Sequence, residues 1–169
     1  MIDINYSVDF QQTRDKEKER ESVASNPSMF YDEQEETFVI RWEGKVDKSD
    51  IHAGYAQVLE HVKNLKPKKW LLDLKNRHTI RREDQLWVFQ HVFPEVLRLI
   101  GDDVFVAVVL PLTLYHGLVE DLNGDEMMDN NNFLIMQQFL YEEEAQRWLS
   151  HMQLLKKGER SIQLLHTRI

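Results

Sequence analysis

Between Asp73 and Arg82 the chain reads DLKNRHTIRR, a carboxylate followed by a run of donors. Lys75, Arg77, His78, Arg81 and Arg82 supply cationic or imidazole groups, and Thr79 the one hydroxyl. An apolar run, KWLLDL, precedes the stretch and a helical pattern follows it. Loops at the carboxyl end of a strand are where α/β domains carry ligands. Arginines and backbone amides at a helix start can hold an anion. No glycine lets the backbone wrap a phosphate as a P-loop does. His78 with Asp73 has the residue types of base catalysis, but no serine or cysteine nucleophile stands near them in sequence. Two readings remain: a solvated connector, the ordinary occupant of such a position, or a binding loop for a protein partner or an anion.

Other candidates are weaker. Trp87 and His91 stand four residues apart on the following helix and share a face, as a pocket wall, an interface or core packing. In DLNGDEMMDNNN, Asp121, Asn123 and Asp125 match the first three ligand positions of a calcium loop. Glu126 then stands where glycine is needed, and Asn132 where a bidentate glutamate is needed. The seven histidines show no His-x-His or His-x-x-x-His spacing, so zinc has no local support. Nothing in the sequence calls for a cofactor, a metal or catalytic residues. The 63–82 span holds eight basic residues and one acidic one, but a strand divides them. Its two clusters are expected at opposite ends of a sheet, roughly 20 Å apart.

The elements that position these residues follow from periodicity. SMFYD and TFVIRWEG, joined by the acidic EQEE, predict a hairpin ending at Gly44. Asp47 or Ser49 is placed to cap a helix whose stripe is Ile51, Tyr55, Val58, Val62 and Leu65, and Lys66-Pro67 stops it. Residues 69–74 form a strand buried on both faces. The second helix spans about 82–100, with Leu86, Phe89, Phe93, Val96 and Ile100 on its core face and Trp87, Val88, Val92 and Leu99 outside it. Pro94 kinks or splits this helix, and Gly101 closes it. DVFVAVVL is a buried strand, 112–130 a short helix and a loop, 133–140 a last strand, and 142–157 a helix with Ala145, Trp148, Leu149, Met152 and Leu155 inward.

Composition bounds the rest. The chain has 169 residues, 42% hydrophobic and 30% charged, enough for one domain with a core. Without cysteine it has no disulfide, thiolate metal site or cysteine nucleophile. Of the net charge of −8, the first 36 residues hold ten acids against four bases, so the remainder is nearly balanced. That argues against nucleic-acid binding, which asks for a strongly basic face. No signal peptide pattern and no apolar run of membrane-spanning length is visible, and the expectation is a cytoplasmic protein. Three parts are expected: a charged N-terminal arm, 1–26, a single domain, 27–157, and a tail, 158–169.

The order β-β-α-β-α-β-(α)-β-α resembles the STAS-like fold of the anti-sigma-factor antagonists. The resemblance spans most of the chain. It is carried by TFVIRWEGKVDKSDI, KKWLLDLKNRHTIRREDQLWVFQHVFPEVL, VFVAVVLP and FLYEEEAQRWL, whose texture is similar to a bacterial branch of that fold. It implies an α/β domain with a central mixed, mostly parallel sheet of about five strands and helices packed against it. It also implies a non-enzymatic module that binds a protein partner or a small ligand. In that family a serine after the third strand is phosphorylated. No Asp-Ser pair stands at the matching place here, and Thr79 is the candidate phosphoacceptor. The expected function is thus an interaction or regulatory module, with a homodimer as the expected assembly. The alternative is a carrier or sensor of a small apolar or anionic ligand beside the second helix.

Overall fold

Alternating apolar residues set the first ladder. Ser28–Asp32 forms β1 and Thr37–Gly44 forms β2, paired antiparallel with Met29 opposite Ile40. The turn between them is fixed locally, because Asp32 Oδ1 accepts from the backbone N–H groups of Gln34 (3.0 Å) and Glu35 (3.1 Å). This structure, a computed structural model, describes residues 25–114 and 126–166. Most of the arm, the helix expected after Leu112 beyond Leu114, and calcium-loop positions Asp121, Asn123 and Asp125 lie outside the described residues.

Asp47 caps α1, Lys48–Leu65, in a reciprocal box. Its Oδ1 accepts from the Asp50 N–H (2.9 Å), and Asp50 Oδ2 accepts from the Asp47 N–H (3.1 Å). Lys66 ends the helix at φ 46°, left-handed, just before Pro67. Gly54 in this helix lies against the Trp42 ring, where a Cβ would stand 2.2 Å from Trp42 Cη2. Only glycine admits that approach without displacing a fully buried indole.

β3 spans Lys69–Arg77, three residues longer than its apolar run. It is followed by α2, Arg82–Trp87, a π-helical turn, Val88–Val92, and α3, Phe93–Ile100, which Gly101 closes at φ 66°. The expected single helix is therefore split before Pro94. The Phe93 N–H reaches back to Val88 O, five residues away, and Pro94 has no N–H to restore the four-residue step. The extra residue shifts the phase of everything before it. Val88 and Val92 are buried, and Leu86, expected inward, is exposed.

β4, Val104–Val109, is buried throughout. β5, Glu126–Asp129, and β6, Asn132–Phe139, form a hairpin turned by Asn130 (φ 49°) and Asn131 (φ 67°), the positive-φ pair that a two-residue turn requires. The sheet order is β1-β2-β3-β4-β6-β5, with parallel ladders between β2, β3, β4 and β6 and antiparallel hairpins at both edges. Among the described residues it has six strands where the sequence predicts about five. The added one is EMMD, which has no β-branched residue and reads as loop.

α4, Glu142–His166, does not stop near Lys157 but runs to His166. Its first half packs Ala145, Trp148, Leu149 and Met152 on Val39, Leu71, Phe105, Ala107 and Val109. Leu155, expected inward, is exposed. The opposite sheet face, with Phe38, Ile40, Trp42, Trp70, Leu72, Val106, Val108 and Leu134, carries α1, α2, the π turn and α3. Three layers result, and no helix among the described residues is long and apolar enough to cross a membrane.

Candidate functional site

Strict alternation along β3 sends even-numbered residues to the α1–α3 face and odd ones toward α4. Trp70, Leu72 and Leu74 obey it, and Leu71 packs with the α4 cluster. Asp73 does too. Its Oδ2 accepts from Arg41 Nε (3.2 Å), and Arg41 Nη2 in turn donates to Glu142 on α4 (3.0 Å). By this parity Arg77 belongs with Asp73. The register with β2, however, shifts between the pairs Arg41–Asp73 and Glu43–Asn76, giving β3 one extra residue. One extra residue exchanges the two faces of every position after it. Arg77 consequently turns to the other side of the sheet, into a cavity of about 70 Å³.

The cavity lies at the carboxyl end of the parallel strands. Leu72, Leu74, Val108 and Met136 line it from the sheet, and Val88, Phe89 and Phe93 from the split helix. Into this apolar lining come five polar side chains, Tyr55 from α1, Arg77 from β3, Asp84 and Gln85 from α2 and Gln138 from β6. Arg77 is only 6% exposed, yet its Nε and Nη2 have no hydrogen-bond partner among the described residues, and neither has Gln138 Nε2. Burial lowers the Arg77 pKa, opposed by Tyr55 and Asp84 and aided by Arg81. An arginine starts so high that it stays cationic. Burial pushes the Tyr55 hydroxyl up to about 12, against the charge of Arg77 and the Trp42 indole, so Tyr55 is neutral. Trp42 Nε1 itself closes no hydrogen bond of proper geometry among the described residues.

Nε and Nη2 project from the same edge of a guanidinium and form the fork that grips a carboxylate. Among the described residues this edge grips a carboxylate twice elsewhere. Arg81 places Nε and Nη2 on Asp84 (2.9 and 3.4 Å), and Arg98 places the same pair on Glu95. In Arg77 the same fork is unpaired among the described residues and lies closed off in the wall of the cavity.

The loop of candidates read from the sequence comes apart in space. Lys75 stays on the α4 side, 3.6 Å from both Asp73 and Glu142. Arg77 is a strand residue in the interior. Arg81 is tied to Asp84. His78, Thr79 and Arg82 face solvent. Trp87 and His91 do share a face, but outside the cavity. Their rings stack at 5.7 Å, His52 stacks on Trp87 at 3.8 Å, and His91 Nδ1 lies 3.1 Å from Trp87 O. Gln138 and Asp84 were not singled out from sequence. Gln138 interrupts the apolar positions Leu134 and Met136 on one face of a strand, and a polar residue in that register is the signal that marks it. Among the described residues no group of three or more His, Asp or Glu side chains is placed to hold a metal ion. Compared with models of protein families and with curated proteins, the chain matches none.

Proposed function

We propose that the protein is a non-enzymatic, STAS-like carrier or sensor of a small apolar carboxylate. The acid group sits on the Arg77 fork and the Gln138 amide, and the hydrocarbon part lies among Leu72, Leu74, Phe89 and Met136. One observation carries this reading: a buried cation with two N–H groups that have no partner among the described residues, on the wall of an apolar cavity. Buried charges are otherwise paired, because leaving one unpaired costs several kcal/mol. Size narrows the ligand. An apolar cavity of about 150 Å³ admits benzene, and this one has about half that volume. The cavity is open on one side, so it encloses the carboxyl group and the nearest carbons of a short acid while the rest of the chain lies in its mouth. Calorimetric titration with butanoate and with butanamide, equal in size and neutral, tests the reading. Saturable binding of butanoate alone, lost in Arg77→Met, is the expected result. No binding, or equal binding of the amide, overturns it.

The interaction-module reading is favoured by a different observation. His78, Thr79 and Arg82 point outward beside the exposed Leu86, a small mixed surface at the same end of the sheet. A protein partner, and phosphorylation of Thr79, belong to this surface. A pull-down in which Arg82→Glu and Leu86→Ser retain every captured protein removes it.

A further inference from the structure

The amino end of the sheet carries a second cleft, of about 290 Å³. The sequence shows only half of it, as the lysines before β3. The fold brings the outer half of α4 to the same place, so Lys66, Lys68 and Lys69 face Lys156 and Arg160 across the cleft. Two aspartates from the turn before β4 hold part of this charge. Asp102 Oδ2 accepts from Lys68 (2.8 Å) and from Arg160, its Oδ1 lies 3.9 Å from Lys156, and Asp103 Oδ2 pairs with Lys156. Two carboxylates thus serve three cations.

Lys69 stands apart from that network. The residue is 5% exposed, and its Nζ donates to Gln153 Oε1 at 2.8 Å, a neutral acceptor. Gln153 Nε2 passes the contact on to Glu36 Oε2, also at 2.8 Å. Among the described residues no carboxylate lies within ion-pair distance of Lys69. An ammonium has three donors, and one is engaged. Burial lowers its pKa, against the pull of Glu36 and Glu35. A buried ammonium facing a neutral amide, in a cleft where cations exceed carboxylates, is matched by a ligand with concentrated negative charge. The Tyr31 and Phe105 rings add an apolar wall that a bare inorganic ion does not use.

We propose that this cleft binds a small organic phosphate, its phosphate group on Lys69 with Lys66, Lys156 and Arg160 around it. A phosphate monoester carries nearly two charges and three strong acceptors, which suits several cations converging from different segments. The site is independent of the Arg77 cavity at the other end of the strands.

Calorimetric titration of the full chain with glycerol 3-phosphate, and with glycerol as the neutral control, tests it. Saturable binding of the phosphate alone is expected. It should weaken at least tenfold in Lys69→Met and severalfold in Arg160→Gln, an exposed helical position that leaves folding intact. Lys75→Met, at the opposite end of the sheet, should bind as the parent does. If Lys69→Met does not fold, Arg160→Gln decides. Absence of saturable binding, or affinity unchanged in either folded variant, overturns the proposal and leaves Lys69–Gln153–Glu36 as a tie between the hairpin and α4.

Discussion

Arg77 holds a costly position: a cation inside an apolar layer whose carboxylate-binding edge meets no partner among the described residues. If that charge is kept for a ligand, removing it should help the fold and end the function. Arg77→Met is expected to raise unfolding free energy by about 1 to 4 kcal/mol, the range for replacing buried charge by an apolar side chain. Urea denaturation reads this, and a loss of stability instead would show that the guanidinium is structurally satisfied. Asp102 makes a prediction about pH. Partial burial pushes its pKa up, but the Lys68 ammonium, the Asp103 N–H and the Arg160 charge outweigh this and hold it at about 2. A carboxylate lower in the folded state stabilises above its unfolded pKa, near 3.9, and that contribution fades as pH falls toward about 2. Acid unfolding between those values should flatten in Asp102→Asn. Among single residues the sequence showed Arg77 as a donor but placed it on a surface loop. Its inward turn depends on one extra residue in a β-ladder, and pairing register is a property of two strands that no local pattern records.

Helices and strands were more legible than side-chain directions. The Asp47 cap, the Lys66-Pro67 stop and the Gly101 close are short-range chemistry and stand where the sequence puts them. The break in the second helix was readable as a kink or a split at Pro94. Its consequence, a π turn that turns Val88 inward and Leu86 outward, was not, because a 3.6-residue period assumes an unbroken helix. Deleting the exposed Gln90 should convert the π turn to regular helix and rotate α2 by about 100°. Val88 would leave the core, at about 1.5 to 3 kcal/mol, and butanoate binding should disappear with the cavity wall. An unchanged urea midpoint would show that the turn is incidental. Gly54→Ala tests the contact between α1 and β2. Its methyl has no room beside Trp42, and a loss of about 1 to 3 kcal/mol is expected from overpacking. A variant as stable as the parent would mean the indole can move aside.

At the scale of the whole molecule the sheet separates two charged regions that adjoin in sequence. Arg77 closes the carboxyl end of β3 and Lys69 opens its amino end. That separation was visible from the sequence, since a strand divides the basic 63–82 span. The partners of each end were not visible, because Gln138, Lys156 and Arg160 come from 60 or more residues away and only topology assembles them. The layered α/β arrangement follows from strands alternating with helices, whereas the additional strand, β5, is a four-residue hairpin arm held by its partner rather than by its own composition. Binding of a small carboxylate by the Arg77 cavity is the central claim. Native mass spectrometry of the freshly purified full chain and its Arg77→Met variant, before and after adding butanoate, tests it most directly. One carboxylate per folded parent chain, and none on the variant, is the predicted result. Equal adducts on both, or a bare parent chain at saturating butanoate, would contradict it.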